Sequence, residues 1–247
     1  SGFTLGLILQ SYQLHQDRFN SLYLQIPESD NKIPDILDEM MYNLEWMLTM
    51  QDPTDGGVYH KLTTPNFEGF VMPEDCKQQR YVVQKTTTAA LDFAATMALA
   101  ARIYQRFPEF QSFCQQAIES AEKAYAWAVK HPTVYYDQDG NNKKFSPAIQ
   151  TGGYGDNHTE DEFFWAATEL YFTTSETSYL EQAKQFVPDE FSIPSWGNVA
   201  GLGIFQWVNQ ELLDTPDAGK LPMKELKESL KKKCDEDIQE LATSSFH

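Results

Sequence analysis

The chain has 247 residues, 41% of them apolar and 13% aromatic, with a formal net charge of −17. That length supports one large domain with a buried core, and the composition is globular rather than disordered. The charge argues against nucleic acid and anionic membrane as partners, because both need clustered Lys and Arg.

The opening segment, Thr4 to Leu14, reads as a helix, and Ser1 to Gln10 lacks the basic flank and cleavage site of a signal peptide. From Ile33 to Leu48, Ile33, Ile36, Leu37, Met40, Met41, Leu44 and Leu48 recur at three- and four-residue steps, and Asp52-Pro53 stops the pattern. A second such helix spans Thr87 to Tyr104, where seven alanines leave it slim enough for close packing. Further helices are predicted over Phe110–Lys130, Glu160–Phe172, Ser178–Phe186, Asn198–Leu212 and Met223–Leu241. The one basic run, Lys231 to Lys233, is followed by Asp235, Glu236 and Asp237 and reads as a solvated face. No stretch approaches the ~20 apolar residues of a membrane span. Cys76, Cys114 and Cys234 lie far apart without metal spacing and define no disulfide framework.

Two long irregular stretches, Asp52 to Gln84 and Pro132 to His158, separate these helices and are rich in Gly, Tyr, Thr, Asn and Asp. Loops of that length in compact domains usually carry function. Helix pairs joined alternately by short turns and long aromatic loops predict an all-α fold, an α/α toroid whose loops form a cleft at one end. A plain helical bundle or a helical repeat is the alternative.

In the first loop, Asp55-Gly56-Gly57-Val58-Tyr59-His60-Lys61 joins a glycine turn to an aromatic, an imidazole and an ammonium. That mixture suits a sugar, whose ring has apolar C–H faces and a rim of hydroxyls. It also suits a tight turn before a short strand, with His60 hydrogen-bonded in the interior. In the second loop, Thr151-Gly152-Gly153-Tyr154-Gly155-Asp156 leads into the helix at Glu160. Thr159 and Glu162 have the spacing of a capping box, so most of these carboxylates read as structural. Asp161 and Glu162 point ~100° apart on a helix and cannot face each other across a substrate. Tyr154 and Asp156, on glycine-rich backbone, are the better binding candidates. Lys85-Thr86-Thr87-Thr88 reads as helix capping. Trp196, in Pro194-Ser195-Trp196-Gly197-Asn198, is either a stacking platform or a core-edge residue.

Ile26 to Glu39, reading IPESDNKIPDILDE, resembles the "IPESGNGIPDLLDE" segment of glycoside hydrolase family 9, with Asp30 and Lys32 where the family usually has glycine. Further blocks follow in the family's order: Glu45 to Asp52, Gly56 to Lys61, Thr86 to Ala95 and Asp161 to Tyr171. The resemblance implies an endoglucanase-like glycosidase that hydrolyses β-1,4-glucan with inversion, in a secreted or periplasmic parent protein. It implies one partial catalytic domain over residues 1–247, an incomplete (α/α)6 toroid, and no required cofactor. Calcium occurs in some members, and no ligands for it are assigned here. The family's base lies in a "DAGD" motif and its acid is a Glu beyond an "HxR" motif. Neither motif is found in these 247 residues, so no catalytic residue is named and the chain alone is expected to be inactive. By carry-over, His60, Lys61, Tyr154, Asp156 and Trp196 are expected to contact β-glucan. Two readings compete: a noncatalytic glycan-binding relic, and another (α/α)6 glycosidase or lyase. An incomplete ring is also expected to expose an apolar edge that self-association or a rearranged Met223–Leu241 helix covers.

Overall fold

Thr86 accepts a hydrogen bond from the Ala89 amide at 3.3 Å and so caps the helix that organises the molecule, α4 (Thr87–Tyr104). Almost every α4 residue is buried, and its alanines let neighbours approach on several sides. The computed structural model describes residues 1–213, 215–217 and 219–243. Among these, α4 packs against α1 (Gly2–Leu14), α5 (Gln111–Lys130) and α7 (Glu160–Thr174). In turn α7 packs on α8 (Thr177–Gln185) and α9 (Ala200–Leu212), and α9 returns to α1. Thus α1, α4, α7 and α9 form an inner layer, with α5 and α8 outside it. That two-layered helical arrangement is an incomplete (α/α)6 toroid.

A polar lock fastens the inner helices. Glu169 is fully buried on α7 and pairs with Arg102 of α4. Its Oε1 accepts from Gln10 Nε2 of α1 at 3.1 Å and from Trp165 Nε1 at 3.2 Å. Gln10 Nε2 also donates to the Leu202 carbonyl of α9 at 2.8 Å, so all four inner helices meet here. Close approach needs Gly6 on α1, where a Cβ would stand 2.6 Å from the Trp165 ring.

The remaining helices are α2 (Gln16–Asn20), α3 (Asp35–Leu48), α6 (Gln138–Lys144) and α10 (Lys224–Thr243). Neither α2 nor α6 is apparent in the sequence pattern, because each is short and polar. The loop from Asp52 to Gln84 is also more ordered than its composition suggests. It contains β1 (Leu62–Thr63) paired antiparallel with β2 (Tyr81–Val82), with Leu62 opposite Val82 and Thr63 opposite Tyr81. The capping box expected at Thr159 does not form: Thr159 makes no side-chain cap, and Glu162 is buried at 1% exposure. The predicted Met223–Leu241 helix is α10, which begins at Lys224, seats Leu226 in the core beside the preceding Met223, and leaves Ile238 and Leu241 exposed. Its Lys231 and Lys233 pair with Asp235 and Asp237 one turn on, giving the solvated, charge-mixed face. All three cysteines are free. No helix among the described residues is long and apolar enough to cross a membrane.

Candidate functional site

The glycine motif builds a turn that presses onto α5. Gly56 has φ +84°, and a Cβ there would lie 2.9 Å from the Lys123 carbonyl oxygen, so glycine is needed for both conformation and space. Asp55 accepts from the Gly57 amide at 2.9 Å and from Trp127 Nε1 at 3.2 Å. Lys85 bridges Asp55 at 2.8 Å and Asp52 at 2.6 Å, and holds both carboxyls below the usual range. From this anchored turn the chain runs out extended. The His60 amide donates to the Gln84 carbonyl and the Val83 amide to the Lys61 carbonyl, at 3.0 and 3.1 Å. His60 and Lys61 are thereby held in register against the Val83–Gln84 backbone.

Both side chains then reach across some ninety residues to the second loop. His60 Nε2 donates to the Gly153 carbonyl at 2.9 Å, and Nδ1 accepts from the Thr86 hydroxyl at 3.1 Å; the carbonyl partner fixes this tautomer. Burial, then the Lys61 charge, lower the His60 pKa against the Gly153 hydrogen bond, which favours the neutral ring. Lys61 Nζ donates to the Gly152 carbonyl at 2.6 Å, Gln138 Oε1 at 3.1 Å and Thr151 Oγ1 at 3.2 Å. These two residues tie the glycine loop down, and each ring nitrogen of His60 already has a protein partner.

What the loop presents is aromatic and acidic. Tyr154 is held at φ +51°, a conformation costly for a bulky residue. It is 62% exposed and meets Trp196, 59% exposed, edge to face with centroids 6.1 Å apart. Together with Trp46, His60, Lys61 and Asp156 they line a groove of about 430 Å³ that also reaches Asp92 and Glu162. All five sequence candidates therefore converge on one groove. Trp46, Asp92 and Glu162 are added by the structure alone. Trp46 lies in a helix that reads as scaffold, and Glu162 imitates a cap.

Beneath the aromatic rim, Asp92 Oδ1, Asp156 Oδ2 and Glu162 Oε2 are buried oxygens with no hydrogen-bond partner among the described residues. Asp161 Oδ2 accepts from the Val199 amide at 2.7 Å. Burial first, then Asp92 and Asp161, push the Glu162 carboxyl far up. Burial likewise pushes Asp92 up to about 7, reinforced by Asp161 and Asp156. Among the described residues no three His, Cys, Asp or Glu side chains are arranged to hold a metal ion, so no calcium ligand is assigned. A groove with exposed aromatic faces and carboxyl groups can pack the C–H face of a sugar and bond its hydroxyls, and it repels anions.

The raised carboxyls have a measurable consequence. An acid whose folded pKa exceeds its unfolded value binds extra protons when folded, so stability falls as pH rises across that interval. For Asp92 the interval runs from the ordinary value, about 4, to about 7. Glu162→Gln keeps the shape without the charge, and should gain on the order of 1–3 kcal/mol above neutral pH and flatten the fall. Thermal melts in EDTA across this range check it; parent and variant curves that run parallel would contradict the coupling.

An acidic, aromatic-rimmed groove between helices and long loops has the chemistry that suits a sugar. The profile of glycosyl hydrolase family 9 matches residues 1–245. The chain is 53% identical, over its whole length, to the xyloglucan-specific endo-beta-1,4-glucanase of Bacteroides ovatus, covering 42% of that protein. It is 33% identical to Endoglucanase D of Acetivibrio thermocellus, again over its whole length, covering 38%. A solved Bacteroides ovatus family 9 structure superposes with TM-score 0.88 at 50% identity, over 98% of this chain and 44% of the other. This chain belongs to glycosyl hydrolase family 9. It spans about two fifths of the length of these curated relatives.

Proposed function

We propose that this chain forms the substrate-binding wall of an inverting β-1,4-glucan hydrolase, with a xyloglucan-type backbone as its first candidate substrate. The observation that carries this is the groove itself, where Trp46, Tyr154 and Trp196 rim a floor of carboxyl oxygens without protein partners. The xyloglucan specificity of a relative at 53% identity supports the choice of glucan. Tyr154 and Trp196 supply apolar faces, and Asp156 accepts from hydroxyls. His60 and Lys61 act mainly by fixing the Gly152–Gly153 backbone, and carry less of the direct contact than their motif suggests. The parent protein acts outside the cytoplasm. The exposed Ile238 and Leu241 on α10 mark where an apolar edge meets another surface, in the parent or in a second copy.

Inversion requires a base to activate water and an acid to protonate the leaving oxygen, roughly 6.5–9.5 Å apart. The motifs that carry these groups in the family are not among these residues. Each such group contributes about 10²–10⁴-fold, so the isolated chain should release no reducing sugar from xyloglucan or cellulose above a protein-free control. Release that a groove carboxylate mutation abolishes would overturn this, and would assign the chemistry to Asp92, Asp156 or Glu162. Glucan binding without release is the expected pattern. It would also suit a noncatalytic binding relic, which the parent's activity separates.

A further inference from the structure

Beside the groove, and sharing no lining residue with it, lies a second cavity of about 320 Å³. Its walls include Tyr59, Tyr81, Gln84, Tyr136, Asn141 and Phe145. Tyr136 connects the two places, because its ring stacks on the groove residue His60 with centroids 4.6 Å apart. No charged residue lines the cavity, so a neutral ligand suits it. Four aromatic rings offer apolar faces. The Tyr81 hydroxyl and Asn141 Oδ1 have no protein hydrogen bond among the described residues, which leaves polar groups for a ligand.

The cavity is also preformed. Gln84 Nε2 donates to the Tyr135 carbonyl at 2.7 Å, and its Oε1 accepts from Asn141 Nδ2. Asn142 clamps both the amide and the carbonyl of Ile149, at 2.8 and 2.9 Å. Phe145 stands at the cavity 68% exposed, an exposure that a stacking platform needs and a core residue does not. Small-ligand sites share these features: apolar walls, few placed polar groups and little reorganisation on binding.

We propose that this cavity holds one neutral pyranose ring, a branch sugar of a glucan whose backbone lies in the adjacent groove. The proposal rests on the glucan reading of the groove, and the test separates the two. The 247-residue chain is titrated calorimetrically with an unbranched cello-oligosaccharide and with a branched xyloglucan oligosaccharide. Parent, Phe145→Ala, Asn141→Ala and Trp196→Ala are compared, with melts confirming that each is folded. Phe145→Ala and Asn141→Ala should weaken the branched ligand about fivefold or more and move the unbranched one by less than about twofold, the size of a lost stacking or hydrogen-bond contact. Trp196→Ala should weaken both.

Equal loss of both ligands in the cavity variants would mean that a linear chain enters the cavity, and would overturn the branch assignment. Unchanged binding of the branched ligand, or no binding of it at all, would overturn the site. Binding of the unbranched ligand reports on the groove alone: if it is absent, or indifferent to Trp196→Ala while the cavity variants still act on the branched ligand, the groove reading fails and the cavity stands.

Discussion

Glu169→Ala should lower the unfolding free energy by about 3–5 kcal/mol, the usual cost of stranding one member of a buried ion pair. Glu169 is fully buried and Arg102 only 15% exposed, so water cannot replace the lost partner. The variant also strips acceptors from Gln10 and Trp165, loosening α1 and α7 together. The backbone carbonyl of residue 169 and Thr173 Oγ1 would still accept from Arg102, at 3.1 and 2.8 Å, which sets the loss nearer the lower figure. At roughly 2–4 °C per kcal/mol for a domain of this size, a fall in Tm of about 10 °C is expected. Arg102→Met combined with Glu169→Leu should recover much of it, because the uncompensated charge is gone. A single variant that melts with the parent would show that the lock does not hold the inner helices.

Trp207→Ala is the second large effect. Trp207 sits on α9 at 1% exposure, its indole N–H donating to Thr168 Oγ1 of α7 at 3.0 Å. Its ring packs on Tyr171 and Phe172 with centroids 5.8 and 4.6 Å away. Truncation removes that contact, leaves a cavity between α7 and α9, and orphans a hydroxyl, for a loss of about 3–5 kcal/mol. Trp207→Phe keeps most of the volume and forfeits the hydrogen bond, and should cost about 1–2 kcal/mol. Denaturant unfolding of both variants checks the order; equal losses would mean that the indole N–H, not the volume, carries the seam.

Helix periodicity and the motif blocks made most of this fold legible. The alanines of α4 and its threonine cap set Thr87 as the helix start, and the structure begins α4 there. Short polar helices escaped because their signal is local and weak. Gln138–Lys144 contains Asp-Gly-Asn-Asn, which reads as a turn, although Asp137 caps it through the Gly140 amide at 2.9 Å. The groove was half legible. Two glycine-rich loops pointed to His60, Lys61, Tyr154 and Asp156, and the separate Pro194–Asn198 segment to Trp196, but no pattern shows that the first two spend their hydrogen bonds on the loop facing them. Glu162 was hidden differently. Its spacing from Thr159 satisfies a capping rule, and only the packing of α4 beside α7 buries it next to Asp92.

The claim on which the functional reading turns is that the Tyr154–Trp196 groove receives a glucan. A crystal structure of this chain soaked with a cello-oligosaccharide tests it most directly. The account predicts a pyranose ring packed on the Trp196 face, with a hydroxyl within ~3 Å of the Asp156 carboxylate and the His60 bonds to Gly153 and Thr86 intact. Sugar density absent from the groove, or present only with Gly153 displaced and a hydroxyl on the His60 ring, would contradict it.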